Sequence, residues 1–96
     1  MRLSDKEVEI IKKSILNIFD DAQIILFGSR VYDDKRGGDI DIYVETNYNS
    51  SLSKKIKILS DMEINGIFRK VDLIIKTKDT KYKSIFDTIK KEGILL

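Results

Sequence analysis

The sequence predicts a small layered fold of the α/β or α+β type, in which helices pack against a mixed β-sheet. Three observations support this prediction. Helix-like and strand-like segments alternate along the chain, each segment carries apolar residues at the matching period, and no repeat or low-complexity tract interrupts them. We expect the 96 residues to form one domain, 1–96, with room for a single core.

The first predicted helix lies near the start of the chain. Ser4 and Glu7 have the spacing of a capping box, in which each side chain bonds the backbone N–H of the other residue. Apolar residues then recur at helical spacing, at Val8, Ile11, Ile15 and Ile18. These signals predict an amphipathic helix.

Two predicted strands follow this helix. Residues 22–29 read AQIILFGS, an apolar run that suits a buried strand and ends at a Gly-Ser turn. Residues 39–46 read DIDIYVET, in which polar and apolar residues alternate. One face of this strand carries Ile40, Ile42 and Val44, and the other carries Asp39, Asp41 and Tyr43. We expect the first face to be buried and the acidic face to be open.

The second half of the chain predicts two more helices and a third strand. Apolar spacing predicts a helix from Leu52 to about Asn65, and residues 68–77 predict a strand from which Asp72 projects. Asp79 is expected to cap a last helix that ends at Gly93. The apolar positions of that helix are Tyr82, Ile85, Phe86 and Ile89. The residues after Gly93 offer a fourth strand.

Composition narrows the chemistry that the chain can perform. Eighteen Lys and Arg residues against 16 Asp and Glu give a net charge of +2, which predicts only weak binding to nucleic acid. The chain contains no histidine and no cysteine, which excludes thiolate nucleophiles and zinc sites of the usual type. It has no apolar stretch of membrane-spanning length, so we expect a cytoplasmic protein without a membrane partner.

The acidic residues on the predicted strands indicate a metal site. Asp39 and Asp41 at positions i and i+2 lie on one face of a strand, with Cα atoms roughly 6.5 to 7 Å apart. Asp72 adds a third carboxylate, although its alternative role is a surface acid paired with Arg69 or Lys70. Carboxylates suit Mg²⁺ or Mn²⁺, which proteins bind together with substrate phosphates.

The Gly28-Ser29 turn offers a binding site for such a phosphate. Gly28 allows a close approach of the backbone, and Ser29 supplies a hydroxyl and an N–H group. A Gly-Ser turn, an Asp-x-Asp strand and a third acid on a later strand together favour phosphoryl or nucleotidyl transfer.

This combination resembles the nucleotidyltransferase superfamily that includes DNA polymerase beta. The matching residues are Gly28-Ser29, Asp39-Ile40-Asp41 and Val71-Asp72-Leu73. The small size and the LFGSR and GDIDIYV segments are similar to the minimal nucleotidyltransferases, which are often antitoxins that accompany a HEPN-domain toxin. The resemblance implies an α+β fold like the polymerase beta palm.

The resemblance also implies roles for individual residues. Asp39, Asp41 and Asp72 would be the catalytic metal ligands, while Gly28, Ser29 and Arg30 would bind the nucleotide. The expected cofactor is Mg²⁺ or Mn²⁺, and the expected substrate is ATP or another nucleoside triphosphate. The expected acceptor is a hydroxyl, such as a tyrosine of a partner HEPN-domain toxin.

The sequence also fits other functions. The segment Val31–Asp34 interrupts the run of basic residues found in many relatives, and this favours a binding module that neutralises a toxin without catalysis. Tyr32, Tyr43 and Tyr48 are candidates for stacking on a nucleobase. A polymerase-like fragment that acts on nucleic acid is disfavoured by the charge balance. The sequence also leaves room for an oligomer.

Overall fold

A computed structural model describes residues 3–28 and 39–96 of the chain. Within these residues the secondary-structure elements are α1 (Asp5–Leu16), β1 (Gln23–Phe27), β2 (Ile40–Glu45), α2 (Leu52–Ile64), β3 (Val71–Lys76), α3 (Ser84–Glu92) and β4 (Ile94–Leu95). The described part is therefore an α+β fold of helices on a mixed sheet, as the sequence predicts. No helix within it is long and apolar enough to cross a membrane.

The four described strands form one sheet in the order β3-β2-β1-β4. β1 pairs antiparallel with both β2 and β4, whereas β2 and β3 are parallel and are joined through α2. A parallel pair needs such a crossover connection, because the chain must return to the end of the sheet from which it started. The expected fourth strand is confirmed.

One face of the sheet packs against α1 and α2. Its central residues are Leu26 on β1, Ile42 on β2 and Leu73 on β3, and the helices contribute Ile11 and Ile58. All five side chains are buried. Burying such an aliphatic side chain contributes about 1.5 to 3 kcal/mol, so this layer supplies most of the driving force for folding.

The start of α1 confirms the predicted capping box. The Glu7 N–H donates to Ser4 Oγ at 3.1 Å, and the Ser4 N–H donates to Glu7 Oε1 at 3.0 Å. The helix ends at Leu16, so Ile18 packs against the core from the segment after the helix.

The predicted start of α3 is wrong. The helix begins at Ser84, and its N-cap residue is Lys83, which makes no capping hydrogen bond with its side chain. Asp79 instead lies in the preceding turn, where its N–H donates to Thr77 Oγ1 at 3.2 Å. Tyr82 therefore precedes the helix, while Gly93 ends it as predicted.

The acidic face of β2 is only partly open. Tyr43, which shares this face with Asp41, is fully buried against Phe86 of α3, with the ring centroids 5.6 Å apart. The prediction that this face is open is wrong at Tyr43, because α3 covers the carboxyl-terminal half of the strand. Ile25 and Ile89 complete this second apolar cluster.

Candidate active site

Two of the predicted metal ligands lie side by side on parallel strands. Asp41 of β2 is in register with Asp72 of β3 and, on its other side, with Phe27 of β1. Neighbouring strands are about 4.8 Å apart, so the two aspartates occupy adjacent positions on one face of the sheet. Both side chains are half-buried. The sheet thus aligns the Asp-x-Asp segment with the later acid.

Gly28 lies against the side chain of Asp41. Its φ of +74° falls in the left-handed region, which glycine adopts without the steric penalty of other residues. A Cβ atom on Gly28 would overlap Oδ2 of Asp41, closer than van der Waals contact permits. The close approach of this backbone to the carboxylate therefore requires a glycine.

Asp39 joins the same face through Lys70. The Ile40 N–H donates to the Lys70 carbonyl at 2.9 Å, which sets Asp39 beside Lys70 at the start of the strand pair. Lys70 Nζ lies 3.9 Å from Asp39 Oδ2 and 3.7 Å from Asp72 Oδ1. One ammonium group thus partly neutralises two of the predicted ligands.

The contact between Lys70 and Asp39 was missed by sequence reasoning. The i, i+2 spacing of Lys70 and Asp72 indicates a shared strand face and supports the pairing considered above for Asp72. Contact with Asp39 depends on the register between β2 and β3, which the sequence does not reveal.

The donor set fits a hard divalent cation, although its geometry is not that of a complete metal site. Three carboxylates are the ligands that Mg²⁺ and Mn²⁺ prefer, and the Lys70 ammonium shows that a cation is accommodated between two of them. Within residues 3–28 and 39–96, however, no three acidic side chains are drawn together closely enough to hold a metal. The expected three-ligand cluster of Asp39, Asp41 and Asp72 is not formed in this structure.

Part of the predicted nucleotide-binding segment lies outside the described residues. Ser29 and Arg30 belong to residues 29–38, as do Tyr32 and the segment Val31–Asp34. Their predicted roles are therefore not tested, and Gly28 is the described part of this turn.

The two described candidates for nucleobase stacking, Tyr43 and Tyr48, are not available beside Asp41. Tyr43 is buried beneath α3, so its predicted stacking role is wrong. Tyr48 lies beyond the other end of β2, where its hydroxyl donates to Asp20 Oδ1 at 2.9 Å and its ring packs near Phe19. Tyr48 is thus remote along the strand from Asp41.

A polar network anchors α3 to the face that carries the acids. The Tyr43 hydroxyl donates to Glu45 Oε1 at 2.9 Å, and Lys90 Nζ of α3 lies 2.8 Å from the same oxygen. Burial raises the pKa of Glu45, but hydrogen bonds from Lys90 and Tyr43 and the charges of Lys90 and Lys76 outweigh it, so the net pKa is lowered. Glu45 is therefore an ionised anchor for the helix.

Comparison with known families identifies the class of this domain. A family model described as polymerase beta, nucleotidyltransferase matches residues 9–96. The match covers most of the chain, so the protein belongs to this family and the resemblance drawn from its motifs is confirmed. The function is therefore of the nucleotidyltransferase type. A comparison with curated proteins found no match.

Proposed function

We propose that this protein is a Mg²⁺-dependent nucleotidyltransferase that transfers a nucleoside monophosphate to a hydroxyl group. The proposed nucleoside monophosphate is AMP, and its donor is ATP. The observation that carries the proposal is the alignment of Asp41 with Asp72 on adjacent parallel strands, with Gly28 against the Asp41 carboxylate. Membership of the nucleotidyltransferase family supports it.

The chemistry assigned to the site is an in-line displacement at the α-phosphorus. The acceptor oxygen forms a new bond to this phosphorus, the bond to pyrophosphate breaks, and the acceptor proton leaves to solvent or to the Asp72 carboxylate. When bound, a divalent ion supplies charge stabilisation for the entering and leaving oxygens. Asp39, Asp41 and Asp72 would hold it, and the backbone at Gly28 would approach the phosphate chain closely.

A rigid sheet is a suitable support for these roles. Asp41 and Asp72 are fixed by strand pairing rather than by a loop, and the opposite face of both strands is packed on the core. Groups held on packed elements keep their positions within the narrow tolerance that catalysis requires.

The proposal also covers the acceptor of the nucleotide and the biological role of the protein. We assign the acceptor hydroxyl to a tyrosine of a partner HEPN-domain toxin, so that the protein acts as an antitoxin. This assignment rests on the similarity of the LFGSR and GDIDIYV segments to minimal nucleotidyltransferases. A neighbouring gene that encodes a small helical protein would identify the partner to be tested.

The first test is transfer of label from α-labelled ATP, in the presence of Mg²⁺, to the product of the neighbouring gene. We expect wild-type protein to label the partner and Asp41→Asn to reduce labelling by at least about a hundredfold, because loss of a catalytic group commonly has effects of this size. Tyrosine modification is located by mass spectrometry of the partner.

Asp79→Asn is the matched control for this experiment. Asp79 is an exposed acid in the turn after β3, away from the row of Asp41 and Asp72, so its replacement should leave labelling unchanged. Equal labelling by wild type and Asp41→Asn would show that the site is assigned wrongly.

A second candidate function is a binding module without catalysis. The observation that favours it is the position of Lys70, whose ammonium lies between Asp39 and Asp72 where the proposed ion would bind. In that case the triple replacement of Asp39, Asp41 and Asp72 by Asn would leave both the partner complex and its neutralisation intact, and no triphosphate would label the partner.

A further inference from the structure

Strand β3 exposes an unpaired backbone edge in the described sheet. β3 is the first strand in the order β3-β2-β1-β4, and β2 is its partner on the inner side. The Lys70 and Lys76 carbonyls accept hydrogen bonds from Ile40 and Thr46, at 2.9 and 3.0 Å. Because backbone direction alternates along a strand, the intervening Val71, Leu73 and Ile75 turn their N–H and C=O groups outward.

The flank of this edge exposes three large apolar side chains among polar ones. Leu52 and Ile56 of α2 and Phe68 before β3 are each more than half exposed. Leu52 lines a groove with Ile75, and Phe68 lines a second groove with Val71. A strand edge flanked by apolar side chains is a favourable template for pairing with another strand, because both backbone and side chains gain partners.

We propose that β3 pairs antiparallel with β3 of a second copy of this chain, about a two-fold axis that passes through Ile74 and is normal to the sheet. The two sheets then continue into one sheet, and Leu73 of each copy forms hydrogen bonds with Ile75 of the other. This edge adjoins the proposed site, because Asp72 lies on β3. The variants that test the dimer therefore lie on α2 and leave Asp72 unchanged.

Backbone geometry restricts the register, and charge favours this choice over an axis at Leu73. Outward-facing residues must oppose outward-facing residues, so the axis must pass through a single residue rather than between two. An axis at Ile74 places Asp72 of each copy opposite Lys76 of the other, which gives two pairs of opposite charge. An axis at Leu73 would place Lys70 opposite Lys76, a pair of like charges.

Asp72 and Lys76 also have charged partners within their own chain. Lys76 Nζ lies 4.0 Å from Glu45, and Asp72 lies 3.7 Å from Lys70. Both distances are long for a direct ion pair, so each group has capacity for a second partner.

The charges of α2 fit the same axis. Because α2 connects two parallel strands, it runs antiparallel to β3, and the proposed axis sets the two α2 helices side by side in opposite directions. Lys55 lines the groove near Ile75, and Glu63 lines the groove near Lys70, at opposite ends of the helix. Lys55 of each copy therefore approaches Glu63 of the other, which adds two more pairs of opposite charge.

A charge swap on α2 tests the proposal. Sedimentation analysis of wild type over a range of concentrations should show a monomer-dimer equilibrium. Lys55→Glu and Glu63→Lys should each raise the dimer dissociation constant by roughly tenfold at low salt, because two attractive pairs become repulsive. The double variant Lys55→Glu/Glu63→Lys should restore a dissociation constant near that of wild type.

These variants are not expected to unfold the protein. Acidic residues stabilise the start of a helix and basic residues stabilise its end, so both replacements favour α2. Thermal unfolding checks this point. Hydrogen exchange provides a second readout, since the Leu73 and Ile75 amides should be protected in wild type above its dissociation constant and exposed below it.

Two outcomes would overturn the proposal. The first is a wild-type protein that stays monomeric at the highest concentration reached. Protection of the β3 amides that appears only when a different protein is added belongs to this outcome. The second is a dimer whose dissociation constant is the same in wild type, Lys55→Glu and Glu63→Lys.

Discussion

The Asp41 carboxylate lies so close to Gly28 that it leaves no room for a side chain on the glycine. The positive φ of Gly28 and the position of Oδ2 of Asp41 both exclude a Cβ atom. A substitution at Gly28 would therefore strain the backbone and displace a predicted catalytic carboxylate at the same time.

We predict that Gly28→Ala lowers the free energy of unfolding by about 1 to 2 kcal/mol, the usual penalty for a left-handed alanine, and abolishes labelling of the partner. Urea unfolding and the transfer assay measure the two effects. The labelling should be lost even at temperatures where the variant is fully folded.

Gly66→Ala is the matched control for this prediction. Gly66 has a φ of +121°, but within the described residues a Cβ atom there would meet Ile10 Cδ1 at 3.6 Å, an ordinary van der Waals contact. It should lose stability through backbone strain and keep transfer activity. If both variants retained labelling equally, the contact between Gly28 and Asp41 would have no role in the site.

The helices and strands show which parts of the fold are encoded locally. The start of α1 could be predicted because Ser4 and Glu7 satisfy each other within one turn. The start of α3 could not, because the Thr77 N–H donates to Thr80 Oγ1 and the resulting turn includes Asp79. The same residues could form either a helix cap at Asp79 or a turn closed by Thr77 and Thr80, and the structure has the turn.

The burial of Tyr43 could not be read from strand periodicity. Alternation along β2 shows which residues share a face, but a helix more than 40 positions later covers that face at Tyr43 and not at Asp41. Burial on a sheet face depends on long-range packing, which overrides a local pattern of polar and apolar residues.

We predict that Glu45 makes stability depend on pH in the acidic range. Because its pKa is lowered in the folded protein, its contribution is present above the ordinary value of about 4.3 and is lost as the pH falls through the folded pKa. Glu45→Gln should lower the melting temperature at neutral pH, and its difference from wild type should shrink below about pH 4.

Glu9→Gln serves as the control, since Glu9 is an exposed acid on α1. Melting curves at several pH values compare the three proteins. A difference between wild type and Glu45→Gln that stays constant with pH would contradict an ionised Glu45 anchor between β2 and α3.

In the molecule as a whole, the sheet order determines which acids meet. The presence of Asp41 and Asp72 on strands could be predicted from sequence, whereas Asp39, predicted to begin the same strand, lies one residue before β2. The register that aligns Asp41 with Asp72 is set by the α2 crossover and by packing of Leu73 on the core. The metal-site roles of all three residues stay predictions, as do those of Ser29 and Arg30.

The junction of α3 and β4 closes the described fold. Gly93 ends α3, and a Cβ atom there would overlap Ile25 Cγ2 and lie 2.6 Å from the Ile89 carbonyl oxygen. The residues after it pair with β1, where the Leu96 N–H donates to the Ile24 carbonyl at 2.8 Å. Gly93 therefore connects α3 to β4 at a point where both pack against β1.

We predict that Gly93→Ala destabilises the whole protein by about 1 to 3 kcal/mol, the range found for overpacked sites. Urea unfolding monitored by circular dichroism measures the change. Lys91→Ala removes an exposed side chain from the same helix end and should have almost no effect. A Gly93→Ala variant as stable as wild type would mean that the neighbouring atoms of Ile25 and Ile89 can move aside without cost.

The buried phenol of Tyr43 has an optical consequence. Burial, the hydrogen bond to Glu45 and the charges of Glu45 and Asp87 all raise its pKa. Its contribution to stability is therefore present below the ordinary tyrosine pKa of about 10 and is lost as the pH rises toward the folded value. The chain contains no tryptophan, so tyrosine dominates its near-ultraviolet absorption. Hydrogen bonds to Asp20 and Asp87 also raise the pKa values of the exposed Tyr48 and Tyr82. Phenolate absorption that is lost from an alkaline titration when Tyr43 is replaced by Phe would report the separation of α3 from the sheet, without any added dye or label.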